Sequence, residues 1–509
     1  MEKRESWASR STFILAAIGS AVGLGNAWRF PGLVAKHGGG AFLFVYLVVM
    51  LVLGLPLLMM EIAIGRKTRQ GAPGAFRVLN KKSEWVGWAA TSNAFVIATY
   101  YAIVFVWVLL MLGISYKFAS MTGDSAAAST LFQDTIQTTW DVTGYSIPLV
   151  MIIPFLIAWG LIYYCIRNGA SSVGKVVKYT VFIPVICLLI IAVKGLTMDG
   201  AMEGMKTLFI PEWSALGNID LWIDGISQVF YSLSIMMAIM VAYGSFLDRT
   251  SNIAADSLII TLSAIAVSVL SGIVMFTTMY GCGMTTESMS DSGIATAFII
   301  YPMAIVNMTG SGTFNAVFGA IFYLCLVTLA IDSAFSIIEG VSTAVADKFK
   351  KKRNKCTIVI CILAATISLI FITRAGLAWL DIVDHWANAF TLIIVGIFEC
   401  IIVGWLFDTK KLLEEVNKNT NKFKMPLWWF VSIIKFIAPI LLVIFFGLNL
   451  YDLFINNNGT YSYAYWAEIV GGWVPMILCL LSGVIVKIIV SRKKKQGFEE
   501  DNREWDDFE

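Results

Sequence analysis

Asp332 is the residue whose chemistry is hardest to explain as packing, because it lies in the middle of a long apolar stretch. Residues 329–333 read Leu-Ala-Ile-Asp-Ser, so a hydroxyl stands directly beside the carboxylate. A carboxylate at the centre of an apolar helix costs about 2.5–3.5 kcal/mol on insertion scales, and it therefore needs a partner. Carboxylate and hydroxyl oxygens are hard donors that suit an alkali cation. The alternatives are a protonated side chain or one paired with a buried base.

Four other acidic residues stand in apolar stretches. They are Glu61, Asp224, Glu339 and Glu399. We expect Glu61 and Glu339 to brace helices through backbone hydrogen bonds, whereas Glu399 has no distinctive neighbours in the sequence.

A glycine-rich segment interrupts the first apolar stretch. Residues 19–31 read Gly-Ser-Ala-Val-Gly-Leu-Gly-Asn-Ala-Trp-Arg-Phe-Pro. Each glycine costs about 1 kcal/mol of helix propensity relative to alanine, which predicts a local unwinding. Non-helical backbone at membrane depth occurs only beside a cavity or inside protein, and its carbonyls and amides can bind ions. Close packing through small residues is the alternative, but it does not explain Asn26 and Arg29 beside the glycines.

A second polar interruption lies at residues 228–238, which read Gln-Val-Phe-Tyr-Ser-Leu-Ser-Ile-Met-Met-Ala. A second broken helix, one repeat after the first, is typical of transporters built from inverted repeats. No glycine marks the break. An ordinary helix with hydroxyls bonded to its own preceding turn is therefore the alternative.

The composition indicates which elements must position these residues. Of 509 residues, 58% are hydrophobic and 14% are charged, whereas soluble domains average about 45–50% and 25%. This excludes a soluble or a disordered chain. The net charge of +3 gives no support for nucleic-acid binding. Two distant histidines and eight scattered cysteines show neither metal-ligand spacing nor a nucleophile–histidine pairing, so an enzyme is disfavoured.

About twelve stretches reach the roughly 20 apolar residues that a spanning helix requires. We therefore predict an all-α polytopic membrane protein. The predicted spans are 11–28, 43–60, 85–116, 142–166, 179–193, 221–247, 258–286, 314–345, 356–373, 386–407, 430–451 and 469–486.

Lysine and arginine are concentrated in segments that fall on one side of these spans. The rich segments are 3–10, 66–82, 348–355 and 492–495. By the positive-inside rule both termini are expected to be cytoplasmic, in a multi-pass protein of the cell membrane. The first apolar segment lacks a small-residue cleavage site and is not predicted to be a signal peptide. The acidic tail at 498–509 is expected to be solvated and disordered.

The segment 19–31, followed by Gly-Gly-Gly-Ala-Phe at 38–42, resembles the signature of the neurotransmitter:sodium symporter family, particularly its bacterial amino-acid transporters. The resemblance runs from about residue 4 to 405, and the last two spans match by hydropathy only. It implies two five-helix inverted repeats, at about 11–195 and 219–408, with discontinuous first and sixth helices. Two extra helices at about 427–492 and a cytoplasmic tail at 493–509 would follow.

The resemblance also implies sodium-coupled symport of an amino acid by alternating access. A second sodium site would use carbonyls and side chains of Gly19, Val22, Leu329, Asp332 and Ser333. A first sodium site would use Ala21, Asn26, Ser232 and the substrate carboxylate. The family usually adds an Asn from the seventh span, where this chain has Ala264, so the first site is expected to be weak or lost.

Chloride binding is a further possibility that the resemblance raises. Chloride-dependent members use a Tyr, a Gln and two Ser, and the matching residues here are Tyr46, Gln228, Ser232 and Ser268. The Asn that completes the set is again Ala264. Chloride-independent bacterial members carry a Glu at the position of Ser268.

Two gates are implied in the same way. Arg29 and Asp384 resemble the extracellular ion pair, capped by Tyr101 and Tyr231. The cytoplasmic gate would use Arg4, Trp7 and Asp347. A supporting Tyr of that gate is Phe246 here, which removes a hydrogen bond worth about 0.5–1.5 kcal/mol.

Gly23 stands where monoamine carriers of this family place an Asp for the amine, and a glycine leaves room for a substrate carboxylate. The implied substrate-contacting residues are Ser20, Ala21, Gly23, Leu24, Gly25, Ile97, Tyr101, Tyr231, Ser232, Ser234, Met237, Ser333 and Ile337. None is charged, so a neutral and mainly apolar amino acid is expected. Met236 and Met237 replace a usual Gly and an aromatic; they either fill the pocket or flex to admit larger substrates.

Three functional alternatives differ in how they would be detected. A sodium-coupled symporter accumulates substrate along a sodium gradient, and a proton-coupled or uncoupled carrier works without sodium. A transport-dead sensor binds substrate without accumulating it. The expected partners are the amino acid and the lipid bilayer, with no nucleic acid and no obligatory protein partner.

Overall fold

The computed structural model describes residues 5–288, 292–420, 423–456, 459–494, 501 and 503–508. Over these ranges the chain is helical, with a single isolated β-bridge between Gly39 and Pro211. The helices of the first half are α1 Arg10–Ala21, α2 Gly25–Lys36, α3 Gly40–Thr68, α4 Ala72–Leu79, α5 Glu84–Ala119, α6 Ser125–Ile136, α7 Leu149–Ile166, α8 Ala170–Leu196 and α9 Ala201–Phe209. Those of the second half are α10 Ile219–Leu233, α11 Ile239–Ser245, α12 Ile253–Gly281, α13 Gly293–Asn307, α14 Gly312–Phe349, α15 Arg353–Ile372, α16 Gly376–Leu406, α17 Thr409–Asn417, α18 Leu427–Asn456 and α19 Tyr465–Lys493.

Within the described ranges, ten of these helices are continuous, apolar and long enough to cross a membrane. The pair α1 and α2 passes the same test together and is bent by 51° at its break, which makes it the first span. The pair α10 and α11 flanks a break at 234–238 and forms the sixth span. The all-α fold with discontinuous first and sixth helices is therefore confirmed. The fifth span, α8, begins nine residues before the predicted 179 because Lys175 and Lys178 are exposed and keep their charged ends outside the apolar packing.

The break in the sixth span is formed by residues other than glycine. Ser234, Met236 and Ala238 have positive φ values of 52°, 66° and 61°, a conformation that costs non-glycine residues roughly 1–2 kcal/mol each. Contacts from other spans hold it in place. Glu61 Oε1 accepts a hydrogen bond from the Met236 amide at 2.5 Å, and Ser234 Oγ donates to the Ser20 carbonyl at 2.9 Å. Glu61 therefore braces the break, as the sequence suggested, and the alternative of an ordinary helix is wrong.

The described part of the C-terminal tail is docked rather than solvated, which corrects the prediction. Trp505 and Phe508 are buried, at 7% and 2% exposure, and Trp505 packs on Phe407 at 4.9 Å between ring centroids. The Phe508 carbonyl accepts a hydrogen bond from Arg249 at 3.0 Å, and Asp506 pairs with Lys411 at 2.7 Å. The tail alternates acidic and aromatic residues, so it can bury rings while its charges meet the basic loops.

Replacing Trp505 with Ala should release this tail, whereas replacing Lys81 with Ala should not. Loss of a buried tryptophan typically costs about 3–5 kcal/mol. The Lys81–Glu504 pair at 2.6 Å has side chains 68% and 66% exposed, and such a pair is worth about 0–1 kcal/mol. Limited proteolysis of the full-length protein would measure the rate of cleavage near the C-terminus. Equal rates for the two variants would contradict burial of the ring as the main anchor.

Candidate functional site

The carboxylate of Asp332 lies against the backbone of the broken first span. A β-carbon added to Gly19 would stand 2.6 Å from Asp332 Oδ2, so glycine is needed for this close approach. Asp332 is 2% exposed, and its Oδ1 has no hydrogen-bond partner. Thr180 of the fifth span is its polar neighbour, and this residue was not foreseen from the sequence. A buried carboxylate with an orphaned oxygen and no basic partner among the described residues fits a cation.

The donors around Asp332 suit a monovalent alkali ion. The described ranges hold no cluster of three His, Cys, Asp or Glu side chains that could bind a metal. Beside the single carboxylate stands Ser333, and α1 ends at Ala21, with Val22 already outside helical geometry at ψ 79°. The last carbonyls of a helix lack intrahelical partners, so the carbonyls of Gly19 and Val22 could face the ion, whereas that of Ser20 accepts from Ser234. The predicted contributor Leu329 is buried one turn before Asp332 in α14.

The second part of the break has the geometry of a carboxylate site. A β-carbon at Gly23 would meet Ser333 Oγ at 2.6 Å and the Tyr101 hydroxyl at 3.5 Å. That hydroxyl lies beside Ser333 and the Leu24 backbone and makes no hydrogen bond of normal geometry. The first amides of a helix are also unpaired and favour an anion, and α2 begins at Gly25. An unpaired hydroxyl and the start of α2 therefore lie where Gly23 leaves space.

The other predicted pocket residues come from the third, sixth and eighth spans and are largely buried. They are Ile97, Tyr231, Ser234, Met237 and Ile337. The ring of Tyr231 lies over Gly25, where an added β-carbon would be 2.5 Å from two ring carbons. Met236 turns towards the tenth span: a β-carbon on Gly396 would stand 2.3 Å from its sulfur. Met236 thus fills a notch in the tenth span.

Four polar side chains form a compact cluster beside this site. Asn26 Nδ2 donates to Ser232 Oγ at 2.6 Å and to Ser268 Oγ at 2.9 Å. The Tyr46 hydroxyl lies 2.9 Å from Ser268 Oγ and 3.3 Å from Ser232 Oγ. All four groups can donate, which suits an anion. Gln228, the fourth predicted chloride residue, instead donates to the Gly25 carbonyl at 3.2 Å.

The same cluster occupies the predicted ligands of the first sodium site. The Asn26 amide oxygen accepts from the Gly23 amide at 3.3 Å, and Ser232 is held by Asn26. Ala264 is fully buried and brings no side-chain oxygen. These residues satisfy one another without a cation, unlike Asp332.

The predicted extracellular pair lines a cavity of about 530 Å³ without closing it. Arg29 hydrogen-bonds to Gln228 at 3.4 Å and lies 4.0 Å from Asp224. Asp384 accepts a hydrogen bond from Asn388 at 2.9 Å, and its interaction with Arg29 is electrostatic, without a direct contact. The expected Arg29–Asp384 contact is therefore not formed in this structure, because each side chain has another partner and the cavity stays open.

His37 and Lys36 also contact Asp224, at 2.7 Å and 3.3 Å. The sequence pattern did not connect these residues to the gate. Their positions follow from the 51° bend between α1 and α2, which was predicted only as an unwinding.

The opposite end of the bundle is closed by Trp7. Its indole donates to the Tyr243 carbonyl at 3.0 Å and its ring packs edge-on against Phe246 at 6.0 Å. Asp347 accepts a hydrogen bond from the Gly71 amide at 2.7 Å. Arg4, the third predicted member of this gate, lies outside the described residues.

An additional ion-pair network at this end was missed from the sequence. Arg353 pairs with Glu339 and, at 2.7 Å, with Glu5, and its guanidinium lies 4.8 Å from the Phe246 ring. Glu339 was expected to brace a helix through the backbone. It is a fully buried partner of Arg353 instead, since the loop after the eighth span returns to this face.

Comparison with known proteins identifies the family of this chain. The profile of the sodium:neurotransmitter symporter family matches residues 4–130 and 134–495. A sodium-dependent transporter of Methanocaldococcus jannaschii is 35% identical over 498 residues, covering 96% of this chain and 98% of the relative. The sodium- and chloride-dependent GABA transporter 2 of Rattus norvegicus is 27% identical, with 96% of this chain and 87% of the relative covered.

Among solved structures, that of MhsT in complex with L-phenylalanine is similar, with a TM-score of 0.73 at 27% identity. It covers 87% of this chain and 99% of MhsT. The family profile spans almost the whole chain, and the archaeal relative is matched over nearly its full length. The chain therefore belongs to the sodium:neurotransmitter symporter family, whose members are transporters and not enzymes.

Proposed function

We propose that this protein is a sodium-coupled symporter of a neutral, mainly apolar amino acid. The observation that carries the proposal is the unpaired, buried Asp332 carboxylate against Gly19 at the break of the first span. Sodium bound there neutralises Asp332 and ties the first span to the eighth. Because the substrate site shares Ser333 and the residues after Gly19, the ion and the substrate stabilise the same arrangement.

The amino-acid class is supported by the space at Gly23. The Tyr101 hydroxyl and the start of α2 supply donors for a carboxylate. Of the residues predicted to contact the substrate, Ser20, Ala21 and Ser232 would supply oxygens for an amine. The predicted side-chain pocket holds no charge, so a charged substrate side chain would be left unpaired. MhsT, a similar structure, was solved with L-phenylalanine.

Alternating access would proceed from the open state seen here. Binding draws Arg29 from Asp224 and Gln228 towards Asp384, which closes the outer cavity over Tyr101 and Tyr231. Opening of the other end requires release of Trp7 from Tyr243. The two inverted repeats, about 11–195 and 219–408, would rock about the two breaks. The basic loops support a cell-membrane location with both termini cytoplasmic.

The direct test is uptake of radiolabelled neutral amino acids into proteoliposomes, with and without an inward sodium gradient. Accumulation that requires sodium supports symport and identifies the substrate. Accumulation driven by a pH gradient without sodium would show that protons are the coupling ion. Binding without accumulation would indicate a sensor. If the dependence of uptake on sodium concentration has a slope near one, this supports loss of the first ion site at Ala264.

We further propose that the cluster of Asn26, Tyr46, Ser232 and Ser268 binds chloride. Replacing Ser268 with Glu should make uptake independent of chloride, because a fixed carboxylate would take hydrogen bonds from Asn26 and Tyr46, each now 2.9 Å from Ser268 Oγ. Uptake is measured in chloride and in gluconate, with Ser271→Ala as the control for a change in α12. If wild-type uptake is equal in the two salts, chloride has no role at this cluster.

A further inference from the structure

Two buried carboxyl groups lie outside the substrate and sodium sites. Glu61 in the second span and Glu399 in the tenth are each 1% exposed. The Oε2 atom of each has no hydrogen-bond partner, and the two side chains are electrostatic neighbours. Throughout the described ranges, no lysine, arginine or histidine pairs with either one. Within the described ranges, the bundle thus contains two neighbouring buried acids without a counter-ion.

The two acids differ in their hydrogen bonds. Glu61 Oε1 accepts from the Met236 amide at 2.5 Å, in the strained break of the sixth span. Glu399 accepts no hydrogen bond from any residue that the structure describes. Cys400 is the other titratable group that faces the pair. Glu61 is therefore the acid whose negative charge is stabilised, and Glu399 is the one whose charge is not.

Two adjacent carboxylates in an apolar interior cannot both be ionised without a cation, because the charge on each raises the free energy of ionising the other. A proton on Glu399 removes the second charge. Its hydroxyl can then donate to Glu61 Oε2, which satisfies one orphaned oxygen on each residue. A cation in place of the proton would require more oxygen ligands than these two side chains provide.

We propose that Glu399 and Glu61 form a proton-binding site, in which Glu399 carries the proton and hydrogen-bonds to Glu61. The site is connected to the transport pathway through Met236. This residue receives the Glu61 carboxylate on its amide and inserts its side chain at Gly396, less than one turn before Glu399. Deprotonation would place a second negative charge beside the break of the sixth span and loosen its attachment to the second and tenth spans.

Infrared spectroscopy of the full-length protein in lipid tests the site without relying on transport. Carboxylic acids absorb apart from carboxylates, so the difference between wild type and Glu399→Gln should contain one acid band that is lost in the variant. Subtraction cancels any contribution from Asp332. Glu203→Gln, an exposed acid at the start of α9, is the matched control and should lose no such band.

Glu61→Gln should keep the acid band with a shifted frequency, because the proton stays on Glu399 and its acceptor changes. A band that survives in Glu399→Gln and disappears in Glu61→Gln would overturn the assignment of the proton. If the wild-type spectrum contains no carboxylic-acid band at all, both carboxyls are ionised and the proposal is wrong.

Uptake provides the functional readout. Wild-type uptake should decline at alkaline pH, where Glu399 loses its proton. Glu399→Gln mimics the protonated state, so it should preserve the sodium dependence of uptake and abolish this decline. An unchanged pH profile in this variant would overturn the connection to transport. If Glu399→Gln loses the acid band but keeps the wild-type pH profile, the proton site is supported and only its connection to transport is wrong. Failure of sodium coupling is seen separately, as uptake that does not depend on sodium in wild type.

Discussion

Replacing Asp332 with Ala or Asn is expected to abolish sodium-driven accumulation of substrate. The carboxylate is 2% exposed, lies so close to Gly19 that a β-carbon there would clash with it, and has an oxygen without a partner. Removing one member of a buried charge pair typically costs about 3–5 kcal/mol, which corresponds to a loss of roughly 10²–10⁴-fold in sodium affinity. The Asn variant separates charge from shape, because it keeps the side-chain volume.

Two measurements distinguish this loss from misfolding. Sodium should raise the melting temperature of the wild-type protein in detergent, since a ligand that binds only the folded state stabilises it, and this shift should disappear in both variants. Asp134→Asn changes an exposed acid of α6 and should retain both the shift and uptake. If Asp332→Ala kept the sodium dependence of wild type, the assignment of the cation site would be wrong.

The two breaks show what the sequence could and could not predict. Glycines at 19, 23 and 25 predict the first break through their low helix propensity. In the structure each also permits an approach that a side chain would block. The second break is made by Ser234, Met236 and Ala238, whose positive φ values are imposed by contacts from other spans. Local propensity does not record such contacts, so only the polar cluster at 228–238 indicated it.

The same reasoning explains the residues that were missed. Thr180, Arg353 and His37 each have a partner more than one hundred residues away in the chain. No periodicity in the sequence connects them. The prediction for the tail was wrong for a different reason. Its acidic composition suggested solvation, but Trp505 and Phe508 supply the apolar area that docks it.

Replacing Gly23 with Ala is expected to reduce substrate affinity by at least about 100-fold. The new methyl group would stand 2.6 Å from Ser333 Oγ and 3.5 Å from the Tyr101 hydroxyl, in the space proposed for the substrate carboxylate. A ligand group whose hydrogen bonds are replaced by an apolar contact loses about 1–3 kcal/mol for each donor left unpaired. Two such donors, Tyr101 and an amide at the start of α2, account for the expected loss.

Binding of the radiolabelled substrate to purified protein measures this effect without a transport step. Gly113→Ala is the matched control, because Gly113 lies in α5 with nothing within 4 Å of its added β-carbon. Sodium binding by Gly23→Ala, read from the melting temperature, should survive, since Asp332 and Gly19 are unchanged. Wild-type affinity in Gly23→Ala would place the carboxylate elsewhere. Loss of the sodium response together with substrate affinity would mean that the methyl group disturbs the whole break, because Ser333 serves both proposed sites.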